Sequence, residues 1–108
     1  MTSILRKRDE QRAERREALR HCVLQRLRNA LHELAPGQRI LVFGSITRPY
    51  GFHEMSDVDL AFAEEPPVSR YGLQSRLEER IGRPVDLVVL SECRFRQKIE
   101  REGEPWTS

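Results

Sequence analysis

Two cysteines in 108 residues, Cys22 and Cys93, are too few for a disulfide scaffold and lack metal-ligand spacing, so neither a small secreted disulfide fold nor a zinc module is indicated. Both are expected in helices, as ordinary buried or half-buried thiols. No apolar run approaches the roughly 18 residues of a membrane span, and the first residues are charged where a signal peptide is apolar. The expected compartment is therefore the cytoplasm, with no membrane partner. An excess of one charge sign is also missing: 33% of the residues are charged, yet the formal net charge is only +2. Total charge thus gives no argument for a nucleic-acid partner. With 38% hydrophobic residues the chain fills a core only if its elements are strongly amphipathic, and its length suits one domain over 1–108 and excludes a two-domain enzyme.

What is present divides cleanly. Between about Ile4 and Leu34 there is neither Pro nor Gly, and Leu19, Val23, Leu27, Leu31 and Leu34 recur at helical spacing, predicting one long N-terminal helix within residues 1–35. Its first half differs in kind. Arg6, Lys7, Arg8, Arg12, Arg15 and Arg16 alternate there with Asp9, Glu10, Glu14 and Glu17, with almost no apolar stripe. That segment is expected to project or fray. It reads either as a solvated helix held by i,i+4 ion pairs or as a basic arm for RNA or a partner; interleaved acids and the lack of stacking aromatics argue against specific RNA binding.

Pro36-Gly37 stops the helix, and Arg39 to Phe43 then reads as a short buried strand. After a loop ending near Ser56, Asp57 to Ala63 alternates with period two and predicts a second strand. A helix is expected over Val68 to Ile81, with Gly82 as its cap, then a third strand over Val85 to Leu90. Ser91 is a plausible N-cap for a last helix over about Glu92 to Arg101, closed by Gly103 and Pro105. The order αβ(loop)βαβα implies an α/β (α+β) domain, a small mixed sheet of about three or more strands flanked by helices.

Chemistry concentrates at three places. Alternation along the second strand sends Asp57, Asp59, Ala61 and Ala63 to one face and Val58, Leu60 and Phe62 to the other. Two carboxylates beside small alanines make an uncrowded negative surface, suited to hard divalent cations, normally magnesium where phosphates complete the shell; a solvated strand face is the plain alternative. Gly44-Ser45 sits where a buried strand ends, where glycine lets backbone approach a ligand and amides can face phosphates, though a common turn has the same appearance. Arg48 lies close enough to donate to the same phosphates. Asp86 interrupts the apolar run Val85 to Leu90. Buried there it would need a metal, a cation or a hydroxyl proton; open to water at a strand end it would need none.

Taken together, Gly44-Ser45, Asp57-Val58-Asp59 after eleven intervening residues, and Asp86 on a following strand resemble the signature of the DNA polymerase β-type nucleotidyltransferase superfamily, in its minimal nucleotidyltransferase branch. The resemblance covers roughly residues 39–102, which it marks as the catalytic core. Arg48 matches the arginine that commonly follows the Gly-Ser, whereas Pro49 stands where a glycine is usual, with Gly51 as the nearest substitute. His53 and Glu54 have no counterpart with a role.

The resemblance implies a polymerase β-like nucleotidyltransferase fold that takes a nucleoside triphosphate, with ATP as substrate and two Mg2+ ions when nucleotide is bound. Gly44, Ser45 and Arg48 would bind the nucleotide, and Asp57, Asp59 and Asp86 would form the catalytic and metal site. Larger relatives carry an extra helical domain that presents the acceptor; here that surface is expected from a second copy or another protein. Minimal nucleotidyltransferases of this kind resemble antitoxins paired with HEPN-domain ribonuclease toxins, which suggests AMP transfer from ATP to a toxin hydroxyl. A non-catalytic antitoxin or nucleotide-binding module, acting by occlusion, is the alternative.

Overall fold

The computed structural model describes residues 4–108. Helix α1 (Ile4–Leu34) is unbroken, as the Pro- and Gly-free stretch requires, and at 31 residues it is about 46 Å long. It sets the long dimension of a molecule measuring 56 × 28 × 20 Å. Only its second half is buried: Val23, Leu27, Ala30 and Leu31 are each about 1% exposed or less, while residues 4–12 are all exposed where described.

Strands β1 (Arg39–Phe43), β2 (Val58–Phe62), β3 (Val85–Val89) and β4 (Glu104–Thr107) form one sheet in the order β3-β2-β1-β4. β1 runs antiparallel to both β2 and β4, and β2 runs parallel to β3. The parallel pair needs a crossover, which α2 (Arg70–Ile81) supplies. Leu73, Leu77 and Ile81 on α2 pack with the buried face of α1 against Ile40, Val42, Val58, Leu60, Phe62, Val85 and Leu87. The opposite face is only half covered. There α3 (Arg96–Glu102) lays Ile99 over Ala61 and Leu90, with Leu41, Phe43, Val88 and Cys93 at the margin.

Three details depart from the sequence expectation. The last helix begins at Arg96 and not near Glu92: Ser91 lies within a 3-10 turn at Leu90–Glu92, and the extended backbone of Cys93 breaks the helical path. Gly103 and Pro105 do not simply close the chain but lead into β4, where a proline is tolerated because the strand lies at the sheet edge. Cys93 consequently lies in a loop, half-buried, and Cys22 is exposed on α1. Among the described residues no helix is long and apolar enough to cross a membrane.

Candidate nucleotidyltransferase site

The uncovered part of the second sheet face lies where β1 ends and β2 and β3 begin. The β1–β2 register pairs Phe43 with Asp59, and the β2–β3 register pairs Asp59 with Asp86. Paired residues on adjacent strands share a face at about 5 Å, so the two carboxylates stand side by side. Asp57 lies one residue before β2 and not within it, and is exposed. Asp59 feels the other two. Partial burial of Asp59, then the charge of Asp86 and that of Asp57, push its carboxyl up from 3.8 to about 6.

Asp86 itself is exposed, and not a buried charge demanding a partner. β3 is an edge strand, and the short α3 covers Val88 but does not reach the start of the strand. Its companion Asp59 is the half-buried member. None of the three makes a hydrogen bond or ion pair within the described residues, and no three ligand side chains converge there into a ready-made metal cage. The site is a surplus of unneutralised carboxylate oxygens, which fits a hard divalent cation whose remaining ligands come from phosphate and water.

Gly44 explains why Asp59 can sit where it does. It opens a 3-10 turn (Gly44–Thr47) at the end of β1 with φ +80, and a Cβ built on it would lie 2.2 Å from Asp59 Oδ2 and 3.1 Å from Asp59 Cγ. Both backbone conformation and proximity therefore favour glycine, since any side chain here would displace the Asp59 carboxylate. Ser45 follows, half-buried, its carbonyl accepting the Arg48 amide at 3.1 Å, while Thr47 Oγ1 donates to the Gly44 carbonyl at 2.7 Å. Arg48 is exposed, with no ion-pair partner among the described residues. The left-handed residue in the loop beyond is Tyr50 (φ 61), not Gly51; Gly51 instead provides closeness, since a Cβ there would meet Arg48 Cβ at 3.0 Å and the Ser45 carbonyl at 3.1 Å.

The residues that fix this loop were not singled out by sequence. Glu17 on α1 accepts the Tyr50 amide at 2.6 Å, and Arg20 pairs with Glu17 at 2.5 Å while its Nε donates to the Ile46 carbonyl at 2.7 Å. The Tyr50 amide, with help from Arg20, holds the Glu17 carboxyl below its ordinary range. On the other side Arg83 donates to the Ser56 carbonyl at 2.7 Å and lies 5.7 Å over the buried Phe52 ring. It fastens the segment entering Asp57. In the sequence Arg83 is merely an arginine before a proline, and Glu17 and Arg20 are lost in a charged run.

The model of the nucleotidyltransferase domain family matches residues 24–105, about three quarters of the chain. The chain belongs to that family. This nucleotidyltransferase domain also resembles solved structures: a toxin-antitoxin complex with AMP-PNP, at 26% identity and a TM-score of 0.58, over 78% of this chain and 73% of that one. A second is the MntA-HepT toxin-antitoxin complex, at 23% identity and a TM-score of 0.51, over 74% of this chain and 66% of that one, which bears on the fold alone. No curated protein matches significantly.

Proposed function

We propose that this nucleotidyltransferase moves AMP from ATP onto a hydroxyl of a partner protein, as the antitoxin of a HEPN-domain ribonuclease toxin. The observation that carries the reading is the packing of Asp59 against Gly44 with Asp86 beside it in register, which puts the Gly44–Thr47 turn and the carboxylates at one sheet end. The toxin-antitoxin neighbour holding AMP-PNP supports the nucleotide and the partner class.

In this reading the Gly44 backbone and the Ser45 hydroxyl receive the triphosphate, and Arg48, whose side chain has no ion-pair partner among the described residues, adds a charge-assisted donor. Asp57 and Asp59 would hold magnesium, with Asp86 joining them, and an ion held there would supply positive charge to offset the triphosphate and the leaving pyrophosphate and to acidify the acceptor hydroxyl. Asp86, open to solvent, takes the acceptor proton as the hydroxyl oxygen bonds to the α-phosphorus and the bond to pyrophosphate breaks. The products are the AMP-modified hydroxyl and pyrophosphate. Half-burial of Asp59 against Gly44 keeps one carboxylate fixed while the exposed pair adapts to the nucleotide.

Titration calorimetry of ATP with magnesium, with manganese and with chelator tests this. Affinity that requires the metal is expected, because three carboxylates otherwise repel a triphosphate; equal affinity in chelator removes the site.

A further inference from the structure

The first half of α1 is not the ion-pair-laced rod that its charge pattern suggests. Among the described residues, Arg6 is the one arginine of this half with an i,i+4 pair, to Glu10 at 3.8 Å. Arg12, Arg15 and Arg16 make no ion pair or hydrogen bond among the described residues, and with Leu19 they occupy positions i, i+3, i+4 and i+7, a single helix face. That face forms one wall of an open cavity of about 750 Å³; the loop carrying His53 and Met55 forms the other. The cavity is held in place. Glu17 on the Tyr50 amide and Arg20 on the Ile46 carbonyl tie α1 to the loop one helical turn further on.

We propose that this groove binds an acidic polypeptide segment of the acceptor protein and so delivers the acceptor hydroxyl to the carboxylates. The inference rests on the transfer reading above. Three unneutralised guanidiniums on a fixed wall select an anionic ligand. Leu19 and Met55, the latter 84% exposed, offer apolar contact that a peptide side chain can use. Single-stranded RNA fits less well, since no Phe, Tyr or Trp lines the groove as a platform for base stacking, whereas its Leu19 and Met55 suit peptide side chains. The position suits delivery: Met55 precedes Asp57 by two residues, at most about 7 Å of chain.

Fluorescence anisotropy with a labelled Glu- and Ala-rich peptide bearing one central tyrosine tests this on the full chain, beside a labelled oligouridylate and Mg-ATP calorimetry. The wild type should bind the peptide in a salt-sensitive way and more tightly than the RNA. Arg12→Glu with Arg15→Glu and Arg16→Glu should weaken the peptide about 10-fold or more, the corresponding lysines should largely restore it, and Mg-ATP affinity should not move. Met55→Glu, on the opposite wall and independent of α1 folding, should weaken the peptide in the same direction. Peptide binding indifferent to both charge changes, tighter RNA binding, or loss of Mg-ATP with the arginines would each overturn the groove. If the wild type binds no Mg-ATP, the transfer reading itself fails; with Mg-ATP bound and the peptide unaffected, only the groove falls.

Discussion

Substituting Gly44 by alanine separates two effects that the structure superimposes. Gly37, Gly44 and Gly82 have nearly the same backbone, with φ of 74, 80 and 77, so alanine at any of them carries a left-handed cost of about 1–2 kcal/mol. Their surroundings differ: a Cβ at Gly37 meets nothing within 4 Å, one at Gly82 only Arg26 at 3.9 Å, and one at Gly44 lies 2.2 Å from Asp59 Oδ2. Because the colliding oxygen ends a short side chain, Asp59 can rotate away for about 1 kcal/mol more, the cost of an off-rotamer side chain. Stability should therefore fall by about 1–2 kcal/mol in Gly37→Ala and by about 2–3 kcal/mol in Gly44→Ala. Function should split further, since the displaced carboxylate no longer meets the metal: Mg-ATP affinity should drop about 10-fold or more in Gly44→Ala and hold in Gly37→Ala. Urea unfolding and calorimetry on both variants, repeated in an Asp59→Ala background, close the cycle. The extra stability cost should vanish once the Asp59 carboxylate is gone. Equal losses for Gly44→Ala and Gly37→Ala in both assays would refute the reasoning.

The raised Asp59 carboxyl predicts pH dependence in the metal-free protein. Its folded pKa of about 6 exceeds the ordinary 3.8, so ionisation destabilises the fold: the penalty is absent below about 3.8, grows as pH rises and is complete above about 6. A shift of that size is about 3 kcal/mol undiscounted, which solvent screening of a half-exposed side chain cuts to about 1 kcal/mol. Asp59→Asn should thus stabilise the apo protein by about 1 kcal/mol at pH 8 and by almost nothing at pH 3.5, in thermal or urea unfolding; the same gain at both would contradict an electrostatic origin. Arg83→Ala, which removes the bond to the Ser56 carbonyl and the stacking over Phe52, should cost about 1–3 kcal/mol and weaken Mg-ATP through the displaced Asp57 segment. Deleting residues 2–15 should leave Mg-ATP affinity unchanged, because the loop is anchored by Glu17 and Arg20; a nucleotide-binding defect would make the first half of α1 part of the site.

Periodicity made most of the fold legible, since long amphipathic patterns reflect which face is buried: α1, β1 and α2 have nearly the expected bounds. It failed where tertiary pairing decides. Glu104 to Thr107 contains a proline and no clear alternation, and it is a strand only because β1 offers an open edge. The same limit applied to Asp86, for which burial and exposure were both open; which part of its sheet face α3 leaves uncovered, unreadable from local pattern, decided for exposure. That Gly44 and Asp59 meet was legible because the spacing between the two motifs suits a strand, a loop and a returning strand. Glu17, Arg20 and Arg83 were not, because they act on backbone carbonyls and amides distant in sequence, and such contacts leave no spacing rule.

The transfer reaction itself is most directly tested by intact mass. Purified HEPN-domain partner, incubated with this protein, ATP and magnesium, should gain the mass of one or more AMP units and lose ribonuclease activity. Asp86→Asn should abolish the mass gain and leave complex formation in a pull-down largely intact, because the exposed carboxylate is assigned to proton transfer and not to docking. If the partner is silenced at unchanged mass, and equally well by Asp86→Asn, occlusion is the mechanism and the account of catalysis is wrong.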